Sequence, residues 1–307
     1  MSLIEKAAAK LKKSESLVER AVEQLKNTTV TEGQNAASAK KDVSGPVMQP
    51  SRPDSAEKFL KNKARVELST DILRRHNIQT NDGMESSITT EEFRIIKRSL
   101  LLNAFSKGEG AIKNGNIVLV TSTQPNEGKT FCAVSLALSM AAERDLTVLL
   151  VDADVAKPDV LNTLGVKGNK GLIDVIENKN MDLRECLLRT NIPNLTILPA
   201  GKKHKLTTEL LASERMGEII DEIARRYHDR IVIIDSPPVL ASSAASVLAL
   251  HVGQILFVVE AERTREEELS DALKMIDKCK NINLVLNKAR FSAGNKRFGS
   301  YYGYGYD

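Results

Sequence analysis

The sequence of 307 residues has no tryptophan, and aromatic residues make up only 4% of it. Its three cysteines, Cys132, Cys186 and Cys279, have neither the C-x-x-C spacing nor the histidine partners of a metal or redox site. They indicate reduced thiols and exclude a small disulfide-bonded secreted protein. Lys and Arg number 44 against 40 Asp and Glu, so net charge alone predicts neither nucleic-acid binding nor adhesion to an anionic membrane.

Long apolar runs are also missing. The most apolar stretch, Ile231 to Glu260, is interrupted by Asp235, two prolines, several serines and His251, so it does not have the roughly 20 apolar residues of a bilayer span. Residues 2–25 carry a charge every two or three positions, unlike the apolar segment of a secretory signal. We therefore expect a cytoplasmic protein that is peripheral to the inner membrane and reaches it only through a partner.

The chain divides into four segments. Residues 1–26 show an apolar stripe from Ile4 to Leu25 that predicts an amphipathic helix, which docks either on its own domain or on another protein. Residues 27–88 are rich in small polar residues, lysine and proline, and predict a flexible linker. Residues 89–288 predict a folded domain, and residues 289–307 a tyrosine-rich tail.

The predicted domain alternates aliphatic runs with helical segments. Near-continuous aliphatic strands are typical of a sheet buried on both faces, so the pattern predicts an α/β fold with a mostly parallel central sheet and helices on either side. One helix is expected to begin at Thr264, with Glu267 completing a capping box. The predicted strands are Asn116 to Ser122, Thr147 to Asp154, Leu195 to Gly201, Arg230 to Pro238, Gln254 to Ala261 and Ile282 to Ala289.

A phosphate-binding loop follows the first strand in the sequence TSTQPNEGKT. Gly128 allows close backbone approach, Lys129 reaches the terminal phosphates, and Thr130 offers a hydroxyl for Mg²⁺ at a helix N-terminus. Thr123 stands where the usual motif has its first glycine, so the strand, the Gly-Lys-Thr triplet and the helix together carry this P-loop prediction. The predicted nucleotide contacts are Asn126, Glu127, Gly128, Lys129, Thr130 and Phe131.

Acidic residues end two later strands. Asp152 and Asp154 end one strand and Asp235 another, where a carboxylate can hold a Mg²⁺ ion that bridges two phosphates. The predicted metal ligands are Thr130, Asp154 and Asp235, although Asp154 could instead cap the next helix. Asn287, at the end of the last strand, is either an adenine contact or an ordinary hydrogen-bonding residue.

Four of the five tyrosines lie in the last seven residues, where an even distribution would place about 0.1. This clustering has two interpretations: a Gly-aromatic low-complexity tail, or a flexible segment that presents phenol groups to an active site. A phenol with a pKa of about 10 needs a base before it can attack phosphorus. The four tyrosines are Tyr301, Tyr302, Tyr304 and Tyr306.

Residues 89–307 resemble the bacterial tyrosine kinases that accompany exopolysaccharide assembly. The resemblance rests on VTSTQPNEGKT as Walker A, LLVDADVAKP as the second acidic motif, IVIIDSPP as Walker B, and YYGYGYD as the tyrosine cluster. The opening EEFRIIKRSLL and the N-terminal extension look most like the exosortase-associated subgroup.

This resemblance implies an ATP-dependent and Mg²⁺-dependent autokinase that phosphorylates the four tail tyrosines in trans and so regulates exopolysaccharide polymerisation or export. Its catalytic residues would be Lys129, Asp152 and Asp154, with Asp152 as the candidate base. The implied partners are further copies in a ring, a membrane-embedded activator that controls polysaccharide chain length, and a phosphotyrosine phosphatase. No nucleic-acid partner is expected.

Two positions depart from the family pattern. The arginine of D-x-D-x-R-x-P is replaced by Ala156, with Lys157 beside it. In the oligomerisation helix E-x-x-R-x-x-R, Lys97 stands at the last arginine position, with Arg98 one residue late. Lysine cannot reproduce the bidentate fork of arginine, so the last contact falls to the lysine or to a rotated arginine.

The alternative is a regulatory P-loop ATPase of the MinD/ParA type without kinase activity. Such ATPases carry a signature lysine four residues before the last loop glycine, where this chain has Gln124. A catalytically inactive ATP-binding scaffold is a third interpretation, and detection of phosphotyrosine separates the three.

Overall fold

The computed structural model describes residues 65–78, 88–226 and 230–289. The predicted N-terminal helix at 1–26, residues 27–64 of the predicted linker and the four tail tyrosines lie outside these ranges. Residues 65–78 correct the linker prediction in part, because they include a short helix. Leu68, Leu73 and Ile78 of this segment are almost fully buried in one of the two cores, which gives it the apolar anchors that the rest of the linker composition lacks.

Seven strands form one sheet within the described residues, in the order β3-β4-β2-β5-β1-β6-β7. All neighbours pair in parallel except β3 and β4, which are antiparallel. The strands are β1 Ile117–Ser122, β2 Thr147–Asp152, β3 Leu188–Arg189, β4 Leu195–Leu198, β5 Arg230–Asp235, β6 Gln254–Glu260 and β7 Ile282–Asn287.

Helices connect and flank these strands. The α-helices are α1 Thr70–Arg75, α2 Ile88–Ala104, α3 Lys129–Ala141, α4 Val160–Leu164, α5 Leu172–Glu177, α6 Leu183–Cys186, α7 Thr207–Leu211, α8 Glu214–Arg226, α9 Ala244–Leu248 and α10 Glu266–Met275, and Gly108–Gly110 forms a 3-10 turn. In the described ranges none of these helices combines the length and the apolar character that crossing a membrane requires.

Each central strand sends alternate side chains into two separate hydrophobic cores. In β1, Ile117 and Leu119 face one core, while Val118 and Val120 face the other. The first core is closed by helices such as α8 and α9, and the second by α2 and α3. Burial on both faces explains why the strands read as continuous aliphatic runs and confirms the predicted α/β fold class.

The structure contains all six predicted strands and one more. Strand β3 was not predicted, because two half-buried residues give too short a pattern to detect. The prediction of a helix that begins at Thr264 with a capping box is wrong: α10 begins at Glu266, and Arg265 is its N-cap residue. The Thr264 hydroxyl instead accepts a hydrogen bond from the backbone N–H of Glu260 at 3.0 Å.

Candidate active site

The loop between β1 and α3 lies near the middle of the sheet, at its carboxyl edge. It turns twice through left-handed backbone, at Asn126 with φ +70° and at Gly128 with φ +97°. A side chain at Gly128 would collide with the amide of Asn287, so two constraints require glycine there. Lys129 and Thr130 then open α3, whose N-terminal amides face the same edge of the sheet.

Lys129 is bound to the second acidic motif. Its ammonium lies 2.8 Å from Oδ2 of Asp154, and its side chain is only 12% exposed. Burial by itself lowers the pKa of Lys129, but the nearby carboxylates, Asp235 first, outweigh it and hold that pKa above its usual value. The lysine therefore stays charged, and a charged ammonium is what the predicted phosphate contact requires.

Thr130 and Asp235 form the second contact between the loop and a strand end. The Thr130 hydroxyl donates to Oδ2 of Asp235 at 2.7 Å, and the carboxylate is completely buried. Burial raises the pKa of Asp235 to about 6, although Lys129 and the hydroxyl oppose the shift. Among the described residues no donor reaches the other oxygen, Oδ1 of Asp235, so this carboxylate is only partly satisfied.

Asp152 lies beside Asp235 in the register of β2 and β5 and is 1% exposed. Its two oxygens accept hydrogen bonds from the backbone N–H groups of Asp154 and Val160, both at 3.2 Å. Burial, with the charge of Asp235 as the next cause, raises the pKa of Asp152 to about 8. A carboxylate in this environment is a stronger base than an exposed one, and each oxygen keeps a lone pair for a further donor.

The donor set fits Mg²⁺ bound partly through phosphates. Hydroxyl and carboxylate oxygens are the ligands this ion prefers, and Thr130, Asp154 and Asp235 supply them. Within the described ranges no three acidic, histidine or cysteine side chains are close enough to form a metal site by themselves. Mg²⁺ is usually held by one or two carboxylates together with substrate phosphates and water, so this arrangement matches a nucleotide-dependent ion.

The remaining predicted nucleotide contacts lie around the same loop. The Asn287 side chain donates to the backbone oxygen of Glu127 at 2.8 Å, so it stabilises the loop directly. The predicted contact between Asn287 and adenine stays a prediction. The ring of Phe131 packs edge-on against Phe93 with centroids 6.1 Å apart, as part of the second core, so the predicted nucleotide contact falls to its backbone N–H near the start of α3.

Two lysines meet at Asn126. Lys157 donates to the side-chain oxygen of Asn126 at 3.2 Å, and Lys288 to its backbone oxygen at 2.7 Å. Lys288 also lies 3.1 Å from Glu260, whereas Lys157 forms no ion pair with any described residue. Lys288 is not among the predicted site residues, although its position directly after β7 was a signal for it.

In helix α2, the lysine at the last arginine position of the family pattern has its partners within the same chain. Lys97 lies 2.5 Å from Glu143 of the same chain and donates to the backbone oxygen of Ser139, so it ties α2 to α3. Arg94 is paired with Glu91 one turn away. Arg98 is exposed on the same face as Arg94, together with Ile95 and Leu102, which are 51% and 71% exposed.

The fold and this site define a P-loop nucleotide-binding protein. Residues 115–288 match the family model described as AAA domain. Tyrosine-protein kinase CpsD of Streptococcus agalactiae is 30% identical over 196 residues, which cover 63% of this chain and 83% of CpsD. Tyrosine-protein kinase Wzc of Salmonella typhimurium is 32% identical over 194 residues, but these cover 62% of this chain and only 26% of Wzc.

Among solved structures, the kinase domain of Escherichia coli tyrosine kinase ETK is similar with a TM-score of 0.63 and 24% identity, covering 80% of this chain and 89% of that domain. That likeness confirms the fold. The chain belongs to the bacterial tyrosine-protein kinase family, as the match to CpsD shows over most of that relative's length.

Proposed function

We propose that the protein is an ATP-dependent tyrosine kinase that phosphorylates its own C-terminal tyrosines. One observation carries the proposal. The Gly-Lys-Thr loop is joined to both acidic strand ends, Lys129 to Asp154 and Thr130 to Asp235, so phosphate-binding and metal-binding groups converge at one edge of the sheet. Family membership supports protein tyrosine as the acceptor.

The nucleotide is held by groups of three kinds. The backbone N–H groups from Asn126 to Phe131 bind phosphate oxygens, and the Lys129 ammonium neutralises charge on the β- and γ-phosphates. Thr130, Asp154 and Asp235 hold Mg²⁺, directly or through water. When bound, this ion neutralises negative charge on the phosphates. On binding, Lys129 is shared between Asp154 and the nucleotide, because both compete for the same ammonium.

The transfer step needs a phenol oxygen in line with the γ-phosphorus. The phenol oxygen forms a bond to that phosphorus while the bond to the β–γ bridging oxygen breaks, and ADP leaves. The phenol proton passes to Asp152, whose buried carboxylate is the proposed base. Its two backbone hydrogen bonds hold the carboxylate in place while the remaining lone pairs receive the proton.

The acceptor tyrosines come from a second copy of the chain. The tail follows β7 directly, and the resemblance to the family supports delivery in trans within a ring-shaped homo-oligomer. The exposed surface of α2, formed by Arg94, Ile95, Arg98 and Leu102, is suited to contact a neighbour, because it combines guanidinium groups with apolar side chains. In this chain Arg98 takes the place of the family's last arginine.

The cellular role follows from the same family. We propose that a membrane-embedded protein that controls polysaccharide chain length activates the kinase at the cytoplasmic face of the inner membrane. A phosphotyrosine phosphatase would reverse the modification, and the cycle would regulate exopolysaccharide polymerisation or export.

Each phosphate adds about −1.5 to −2 charges, so a modified tail is repelled by the acidic strand ends and leaves the site.

Phosphotyrosine formation tests this proposal. The full chain, purified from its native cells and then incubated with Mg²⁺ and ATP, is expected to gain several phosphates in intact-mass analysis, all within residues 301–307. Replacement of Tyr301, Tyr302, Tyr304 and Tyr306 by Phe should remove the signal. Tyr227→Phe, a change at the one tyrosine outside the tail, is the matched control and should leave the signal intact.

The alternative predicts a different result. A MinD/ParA-like ATPase would release phosphate from ATP without any gain in protein mass, and a scaffold would bind ATP and release nothing. Either outcome, in protein that binds nucleotide normally and carries no phosphate when taken from cells, would overturn the kinase proposal.

A further inference from the structure

Glu127 is a charged residue inside the nucleotide loop, yet it is only 2% exposed. One carboxylate oxygen, Oε2, accepts a hydrogen bond from the backbone N–H of Gln124 at 2.9 Å, which closes the loop on itself. The other, Oε1, accepts a hydrogen bond from the hydroxyl of Thr264. Both oxygens of the buried carboxylate are thus hydrogen-bonded within the protein.

Thr264 lies in a rigid turn between β6 and α10. Its hydroxyl accepts from the backbone N–H of Glu260 at 3.0 Å, and its own backbone N–H donates to the Glu260 oxygen at 3.1 Å. The turn passes through left-handed backbone at Glu262, with φ +63°. Two hydrogen bonds to Glu260 therefore hold Thr264 beside Glu127.

The conformation of Glu127 determines where the next two residues of the loop lie. Its backbone oxygen is fixed by Asn287, and the next residue is the left-handed Gly128, which leads into Lys129. Rotation of the Glu127 side chain toward solvent would release the Gln124 contact and free the backbone that presents Gly128 and Lys129.

We propose that Thr264 is a positioning residue for nucleotide binding: through Glu127 it holds the loop in the conformation that receives the phosphates. Thr264 itself contacts neither nucleotide nor acceptor. The inference rests on the proposed function in one respect, that the loop binds ATP. Without the hydroxyl, the loop spends part of its time in other conformations, and the apparent affinity for nucleotide falls in proportion to the fraction of molecules that remain competent.

Thr264→Val tests the proposal, because it replaces the hydroxyl by a methyl group of similar size. Hydrogen bonds to charged groups are among the stronger ones in proteins, so we expect the affinity of the full chain for a fluorescent ATP analogue with Mg²⁺ to fall about tenfold. The KM for ATP should rise by the same factor, while kcat at saturating ATP stays within about twofold, as expected for lost positioning.

Three further variants complete the experiment. Thr264→Ser keeps the hydroxyl and should restore wild-type affinity. Glu127→Ala should weaken binding more than Thr264→Val, and adding Thr264→Val to it should cost less than about twofold more, because the threonine acts through the carboxylate. Thr207→Val is the matched control, since its half-buried hydroxyl donates at 2.6 Å to the His204 carbonyl oxygen at the start of α7 and should not affect affinity.

Two results would overturn the inference: Thr264→Val that binds the analogue as wild type does, or Thr264→Ser that binds as weakly as Thr264→Val. If Thr264→Val weakened binding equally in wild type and in Glu127→Ala, the threonine would not act through Glu127, and this result would also reject the proposal. Wild-type protein that binds no nucleotide would reject the proposed function itself. Wild-type protein that binds but transfers no phosphate would reject the kinase and leave the positioning role standing.

Discussion

Two buried polar side chains at opposite edges of the same sheet have very different surroundings. Gln254 begins β6 at the amino edge and is fully buried. Its amide donates to the backbone oxygens of Leu100 and Gly115, at 3.0 and 2.6 Å, and its oxygen accepts from Asn103 at 3.1 Å. Asp235 ends β5 at the carboxyl edge, equally buried, with only Thr130 as a hydrogen-bond donor among the described residues and one oxygen unsatisfied.

The difference distinguishes a polar group whose hydrogen bonds are made within the fold from one that keeps hydrogen-bonding capacity for a ligand. The glutamine makes the hydrogen bonds it can within the fold, so its burial costs little and it joins α2 to the sheet. The aspartate is buried without full compensation, which raises its pKa and leaves hydrogen-bonding capacity for a ligand. Four variants test this contrast, from the largest expected effect to the smallest.

Lys129→Met should have the largest effect. Lys129 pairs with Asp154 and is the proposed cation for the phosphates, so its loss should lower phosphotyrosine formation by about 10²–10³-fold, the range seen when one preorganised charge-stabilising group is removed. Quantitative phosphotyrosine detection measures this. Lys274→Met, on the exposed side of α10, is the control and should be indistinguishable from wild type. Activity of Lys129→Met within tenfold of wild type would contradict the assigned role.

Gln254→Met should reduce stability rather than affinity. The change leaves the backbone oxygens of Leu100 and Gly115 without their donor, which should cost about 2–3 kcal/mol of unfolding free energy. Urea denaturation measures this cost, and nucleotide titration at a permissive temperature should give an unchanged Kd. A change in Kd larger than about threefold would show that the amino edge contributes to the site after all.

Asp235→Asn should remove a pH dependence. The folded-state pKa of Asp235, about 6, exceeds its ordinary value of 3.8, so the folded state binds the proton more tightly and stability falls as pH rises from about 4 to about 6. Without Mg²⁺ and nucleotide, the variant should lose this part of the slope and be more stable than wild type near pH 7, by on the order of 1 kcal/mol.

The remaining slope in that variant belongs to Asp152, whose pKa is still raised by burial although it no longer feels the charge of Asp235. Thermal melts from pH 4 to 8 in the presence of a chelator provide the measurement. Equal pH slopes in wild type and Asp235→Asn would contradict the view that this carboxylate is destabilised by burial.

Lys157→Ala should have the smallest effect. Its ammonium is exposed and contacts only the side-chain oxygen of Asn126 among the described residues, so its loss should weaken ATP binding by about two- to fivefold. Isothermal titration or analogue fluorescence can resolve such a change. A loss of a hundredfold in kcat would show instead that Lys157 contacts the transferred phosphate. Lys157 would then replace the arginine that the family pattern has at position 156, where this chain has Ala156.

The sequence predicted the fold well because the information is local. Six strands carry aliphatic residues on both faces, and the loop of Gly128, Lys129 and Thr130 follows the first of them, so the strand order along the chain was enough to place the site. Strand β3 was not predicted, because two residues are too few to show a periodic pattern. The short helix α1 was not predicted, because its buried residues are few and polar residues surround them in the sequence.

The missed features of the site depend on contacts distant in sequence. Thr264 has the local pattern of a helix cap, but its hydroxyl is used by Glu127, 137 residues earlier. Lys97 stands at a motif position for an outside partner, but Glu143 of the same chain binds it. In both cases the side chain makes a tertiary contact and not the locally expected one, because the tertiary contact stabilises a buried or partly buried charge.

The central claim is that ATP bound at one chain's loop phosphorylates another chain's tail. The direct measurement mixes full-length Lys129→Met, which keeps its tyrosines, with a chain lacking residues 301–307, which keeps its loop, under conditions where wild type labels itself. We predict phosphotyrosine on the Lys129→Met chain only when both proteins are present. If wild type becomes labelled but this mixture does not, transfer in trans is contradicted.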